Sequence, residues 1–156
     1  MQKQLTFHKK PIDIKFSEAA IQQSQNLGSI LIVEIQIYFS CLLGKRLAFY
    51  SEQAQEGIWQ LTPEELSSVL ENAQQLTEKL YVRFNTVMTK SCPVGDYTGP
   101  PPVTDFSIKN QGPYVPNWLN IDYENGQWSG HFGWKSSDKG YTNTKQVRGN
   151  ALVSDL

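Results

Sequence analysis

The chain has 156 residues, 39% of them apolar, and its fourteen basic and fifteen acidic side chains leave a net charge of −1. That length suits one domain over residues 1–156, and that apolar content excludes a disordered chain. No overall basic excess marks a nucleic-acid partner, although residues 1–50 carry six Lys/Arg against three Asp/Glu and residues 51–90 carry three against six.

From the N-terminus, Leu5 and Phe7 alternate with Thr6 and His8 as in a short strand. Lys9-Lys10-Pro11 interrupts it, and Ile12, Ile14 and Phe16 resume the period of two. Ser17 is placed to cap a short helix over about residues 18–27, with Glu18 at its positive end and Gly28 where a C′ glycine belongs. Residues 30–40 then read as a half-buried antiparallel strand. Leu31, Val33, Ile35, Ile37 and Phe39 share one face, and Glu34, Gln36, Tyr38 and Ser40 share the other. Leu43-Gly44-Lys45 reads as a turn, residues 46–50 as the returning strand, and residues 58–61 as a short strand carrying Trp59.

Thr62-Pro63-Glu64-Glu65 has the composition of a capping box with proline at the first helical position. Leu66, Val69, Leu70, Ala73, Leu76, Leu80, Phe84 and Val87 follow at helical spacing, which predicts one long helix over about residues 63–89. Its apolar stripe faces a sheet, or extends through Tyr81 into a dimer interface. Residues 91–104 hold Cys92-Pro93, Gly95 and Gly99-Pro100-Pro101-Pro102, an extended loop internal to the domain. Phe106 and Ile108 suggest a further short strand, and residues 141–147 a last one.

Asn125-Gly126 suits a two-residue hairpin turn in which both positions take positive φ. The turn sets the register: Tyr123 opposite Trp128, Ile121 opposite Gly130, Leu119 opposite Phe132. Those residues form a buried face. Trp118, Asn120, Asp122, Ser129 and His131 fall on the other. The expected architecture is α+β: an antiparallel sheet of about five to seven strands against the long helix 63–89, with the second helix 18–27 near an edge.

The chemistry-bearing motifs are absent. There is no Gly-x-Gly-x-x-Gly, P-loop, Gly-x-Ser-x-Gly or His-Glu-x-x-His, so no cofactor is expected. Cys41 and Cys92 form no close pair and His8 and His131 are the two histidines, so no metal site is expected. Cys92 would follow the negative end of the long helix, which disfavours a thiolate, and Cys41 suits a small core position. Residues 30–43 are too short and too alternating to span a bilayer, and the N-terminus resembles no secretory signal, which points to the cytoplasm.

The polar hairpin face therefore holds the candidates. Asp122 and His131 offer a carboxylate–imidazole pair for general acid–base work. Trp118, Asn120, Ser129 and His131 offer a platform and hydrogen bonds for a ligand or partner. The bland reading is a solvated sheet face on which Trp118 covers Gly133. The expected function is a non-enzymatic cytoplasmic binding protein acting through a protein partner or self-association. The alternative is a small-molecule or hydrolytic pocket between helix and sheet that uses His131 and Asp122.

Overall fold

A computed structural model describes residues 2–39, 43–89, 103–105, 111–134, 146–147 and 150–153. Strands predominate, in two mixed sheets, and the helices are short. Sheet A is built from β1 (Gln2–Phe7), β2 (Lys10–Phe16), β9 (Trp118–Glu124) and β10 (Gln127–Gly133), in the order β1-β2-β9-β10. Sheet B takes β3 (Leu31–Phe39), β4 (Leu43–Ser51), β5 (Trp59–Gln60), β6 (Ala73–Gln75), β7 (Leu80–Thr89), β8 (Val103–Asp105), β11 (Gln146–Val147) and β12 (Asn150–Val153). Its main path runs β11-β12-β4-β3-β7-β6, with β5 beside β4 and β8 beside β7.

The purely antiparallel expectation is overturned at three pairings. β2 runs parallel to β9, β3 to β7 and β4 to β5. The expected long helix is overturned as well. A helix α2 (Pro63–Leu70) starts where the capping box predicts, with Thr62 Oγ1 accepting from Glu65 N–H and Glu65 Oε1 accepting from Thr62 N–H. It stops after two turns, and residues 80–89 form β7 instead. The sequence from Leu80 fits both periods: Leu80 and Phe84 sit four apart, but Leu80, Val82 and Phe84 also alternate with Tyr81 and Arg83. Pairing decides between them. β7 lies along the whole of β3, from Leu31 opposite Leu80 to Phe39 opposite Met88, so Leu80, Val82 and Phe84 enter the core together. A helix there would leave one edge of β3 without hydrogen bonds.

For the same reason β3 is covered on both faces rather than half-buried, since Ile32, Glu34, Gln36 and Tyr38 are buried along with the inner row. The expected turn at residues 43–45 is the first part of β4, paired with Ile37–Phe39. The first helix, α1 (Glu18–Gln25), has Ser17 as its N-cap, but it ends at Asn26, so Gly28 is not its C′ residue. The residues between Phe7 and Lys10 do not merely interrupt a strand: His8 and Lys9, at φ 51° and 68°, form the tip of the β1–β2 hairpin. Cys41, Cys92, the strand expected at Phe106 and Ile108 and most of the loop 91–104 lie outside the described residues. Of residues 141–147, only 146–147 are described, as a strand paired with β12.

The two sheets share one core. Ile12, Ile14, Leu119, Ile121, Trp128 and Phe132 of sheet A meet Val33, Ile35, Leu47, Phe49, Val82 and Phe84 of sheet B. Rings from opposite sheets stand 6.4 Å apart at Phe49–Trp128 and 6.5 Å at Phe7–Phe84. Gly130 leaves room for a side chain of the opposite sheet. A Cβ there would stand 2.8 Å from Leu47 Cδ2 and 2.5 Å from the Asn120 carbonyl. Side chains join the sheets at their margins. Gln74 Nε2 donates to Thr6 O and Lys3 Nζ to Leu76 O on one side, and Lys45 Nζ donates to Phe132 O at 2.9 Å on the other. Lys45 enters between the sheets despite its charge, because its ammonium also stands over the rings of Phe132 and Trp134, 5.3 and 5.1 Å from their centroids.

Candidate functional site

The Asn125-Gly126 turn has positive φ at both residues, and the strands pair in the expected register. Asn120 faces His131, Asp122 faces Ser129 and Trp118 faces Gly133. The parallel strand β2 adds the exposed residues Asp13 and Lys15, opposite Trp118 and Asn120. The sequence candidates therefore do share one face.

Their surroundings differ from a free surface. Trp118 is only 3% exposed, so it offers no open platform. Its indole lies over Gly133, where a Cβ would come within 2.9 Å of the ring, and its edge meets His131 at 6.2 Å between centroids. Trp118 Nε1, Asn120 Oδ1 and Ser129 Oγ are sealed from solvent with no hydrogen-bond partner. Asp122 is committed to the Ser17 hydroxyl at the start of α1 and to its own strand. Its Oδ1 accepts from Ser17 Oγ at 2.5 Å and from Tyr123 N–H at 2.7 Å, while Ser17 Oγ accepts from Ala20 N–H. Asp122 thus fixes the residue that caps the helix. His131 is half-buried, and burial holds its pKa below the ordinary value. The Asp122 charge opposes that shift and Lys45 adds to it. A neutral imidazole can donate and accept one hydrogen bond each.

A second cluster lies on the outer face of sheet B. Glu34, Gln36, Arg46 and Tyr50 are all buried. Arg83, directly opposite Glu34 on β7, donates Nη1 to Glu34 Oε2. Gln36 Nε2 donates to Glu34 Oε1 and, at 3.0 Å, lies within reach of the Tyr50 hydroxyl. Arg46, directly opposite Gln36 on β4, donates Nε and Nη2 to Gln36 Oε1 and stacks 5.8 Å from the centre of the Tyr38 ring. Burial and then the Glu34 charge push the Tyr50 phenol far up, so it stays protonated. Burial also raises Tyr38, against the pull of Arg46.

By alternation alone, Glu34, Gln36 and Tyr38 fall on the open face of a half-buried strand, Arg83 falls within the expected helix 63–89 and Arg46 just after the expected turn. The signal that identifies this cluster is the pairing of β3 with both β4 and β7, which no local spacing contains.

Beside α2 the outer face turns apolar. Leu66 packs on Ile32, Ala48 and Tyr50, flanked by the partly buried Ile30, Trp59, Leu61, Val69, Leu70 and Tyr81. A cleft of about 250 Å³ opens elsewhere, between α1 and the β6–β7 turn, lined by Phe16, Ile21, Ser24, Gln25, Thr77, Glu78 and Lys79; neither His131 nor Asp122 borders it. Among the described residues no group of His, Cys, Asp and Glu is arranged to hold a metal ion, and no helix is long and apolar enough to cross a membrane. Comparison with protein-family models, curated proteins and solved structures finds no match.

Proposed function

We propose that the protein is a non-enzymatic, cytoplasmic interaction protein that engages a protein partner through the outer surface around α2. The observation that carries this reading is the company of that helix. Trp59, Leu61, Val69, Leu70 and Tyr81 remain partly exposed around it. No Lys or Arg occurs between Arg46 and Lys79, and Glu64 and Glu65 on α2 and Glu71 at its C-cap are all exposed. Apolar side chains beside one sign of charge suit a partner that presents apolar anchors next to basic groups. Asp122 Oδ1 is engaged by Ser17 Oγ and Tyr123 N–H, which supports a structural role for this carboxylate at the α1 cap over a hydrolytic one.

Affinity capture from native extract tests the reading with two paired variants. The double substitution Glu64→Lys/Glu71→Lys reverses charge at an exposed position of α2 and at its exposed C-cap, and Asp13→Ala/Lys15→Ala alters the exposed sheet A face. A specific partner should be lost by the first and kept by the second, and capture should weaken with added salt. A partner retained by the α2 variant, or lost only with the sheet A variant, overturns the assignment. Light scattering at micromolar concentration separates self-association: a species larger than 17.7 kDa that the α2 variant dissolves would make the partner a second copy.

A further inference from the structure

Strand β1 is an edge of sheet A, paired with β2 on one side and, among the described residues, with no strand on the other. The hairpin shows which of its backbone groups are open. The pair Phe7 and Lys10 closes the two-residue turn, so Phe7, Leu5 and Lys3 aim their N–H and C=O groups at β2. Gln2, Gln4 and Thr6 then aim theirs outward. Two bonds agree with this alternation. Asp13, opposite Gln4, donates its N–H away from β1 to Asn117 O at 2.9 Å, and Thr6 O accepts from Gln74 Nε2 outside the hairpin. Gln2, Gln4 and Thr6 are all exposed. Among the described residues the Gln74 amide is the one group that meets this outward backbone row, and a carbonyl accepts two hydrogen bonds. Open sheet edges are commonly guarded by an outward lysine, a proline or a bulge. The lysine of β1 is turned inward: Lys3 shares the row of Leu5 and Phe7 and donates Nζ to Leu76 O. The proline of the hairpin, Pro11, lies on β2, and the β1–β2 pairing is regular throughout.

We propose that β1 pairs with β1 of a second copy of this chain, antiparallel about Gln4, and joins the two A sheets into one continuous sheet. The strand is self-complementary in this register. Gln4 faces the second copy's Gln4 and Gln2 faces its Thr6, so the outward N–H and C=O groups of each strand meet those of the other. Lys3 faces the second copy's Leu5, so no two like charges stand directly opposite. The edge strand and α2 are different elements, so this dimer and the partner proposed for α2 can fail independently.

Sedimentation of the full chain from about 10 μM to about 1 mM measures this, a range suited to the small area that two short strands bury. The mass should rise from 17.7 kDa towards twice that value. Gln4→Pro removes an outward N–H that β2 does not use and should leave a folded monomer over the whole range. Gln4→Ala keeps that N–H and should still dimerise. If Gln4→Pro does not fold, Gln4→Lys sets two ammonium groups opposite each other and should weaken the dimer at least about threefold. In the wild type, hydrogen exchange at the Gln4 and Thr6 amides should slow as the concentration rises, and exchange at Lys3 and Leu5 should change less. A 17.7 kDa species throughout, a dimer that the folded Gln4 variants leave intact, or one dissolved by Glu64→Lys/Glu71→Lys overturns the proposal. A monomer that captures a different chain from extract, and loses it with Gln4→Pro, gives the edge to another protein's strand and overturns it too.

Discussion

On the outer face of sheet B, Glu34, Gln36, Arg46 and Arg83 hold one another across three strands. On the outer face of sheet A, Asp122 is held by a helix cap and Trp118 by the space above a glycine. Both rows are polar residues spaced two apart on strands, and a pattern of spacing cannot tell them apart. The difference is in what each polar group loses if its neighbour goes. In sheet B the neighbour is a charge, and its loss strands another charge in a buried place. In sheet A the neighbour is a hydroxyl or a backbone amide, and its loss breaks a local bond.

That contrast predicts the largest effect. Glu34→Ala removes the carboxylate beside the buried Arg46 and the partly buried Arg83 and should cost about 3–5 kcal/mol. Asp122→Asn keeps an acceptor for Ser17 and should cost about 1 kcal/mol. Urea unfolding followed by tryptophan fluorescence and by circular dichroism measures both. Equal losses would show that the two faces are held in the same way after all.

The two glycines of β10 sharpen the comparison between the inside and the outside of one strand. A Cβ on Gly130 would meet the Asn120 carbonyl at 2.5 Å and Leu47 at 2.8 Å, and the backbone oxygen cannot move aside without disturbing the ladder. The nearest neighbour of a Cβ on Gly133 would be the Trp118 ring, at 2.9 Å, and a ring can tilt. Gly130→Ala should therefore cost about 2–3 kcal/mol and Gly133→Ala about 1 kcal/mol, both within the range for overpacking. Denaturant midpoints with unchanged slopes would check the order, and the reverse order would mean that Trp118 is the more rigidly held neighbour.

How much of this was legible from the residues depends on how far apart the partners lie in the chain. Asn125-Gly126 fixed every pairing from Glu124–Gln127 to Trp118–Gly133, and Thr62 with Glu65 fixed the start of α2. Both are local devices with backbone chemistry of their own. The strand at residues 80–89 was misread because Leu80 and Phe84 suit a helix as well as a strand, and the choice was made by β3, some fifty positions earlier in the chain. Arg83 was therefore assigned to the wrong element, and with it the ion pair to Glu34. On the hairpin the face of each residue was legible but its cover was not: Trp118 stood on the expected side and was still nearly inaccessible. Alternation reports direction; burial depends on what arrives from elsewhere.

His131 tests the sheet A face by pH. Burial holds its folded-state pKa below the ordinary 6.5, so the unfolded chain takes up this proton first as the pH falls. The stability tied to the neutral imidazole is intact above about pH 6.5 and is lost as the pH drops from there towards the lowered folded value. The loss is limited to about 1.4 kcal/mol for each pH unit of difference. His131→Gln should remove this part of the decline when wild type and variant are compared between about pH 7.5 and pH 5. Asp122 opposes the shift, so Asp122→Asn should steepen the decline. Parallel curves for wild type and His131→Gln would mean that the imidazole titrates alike in both states.

The smallest effect comes from the β1–β2 hairpin, the only place where two adjacent non-glycine residues among those described sit at positive φ. The β9–β10 turn meets the same geometry with Asn125 and Gly126, the pair that left-handed backbone favours, whereas β1–β2 meets it with His8 and Lys9. His8 gains something in return, an edge contact with Phe84 at 5.8 Å between ring centres. Lys9 is exposed at the turn. Lys9→Gly should therefore relieve the strained position while leaving the His8 contact in place. The gain should be about 0.5–1 kcal/mol, reduced somewhat by the extra freedom glycine adds to the unfolded chain. His8→Gly should gain less, or lose, because it also removes the ring that rests on Phe84. Matched urea titrations of the two variants separate backbone strain from side-chain contact, and equal gains would mean that the Phe84 contact contributes nothing.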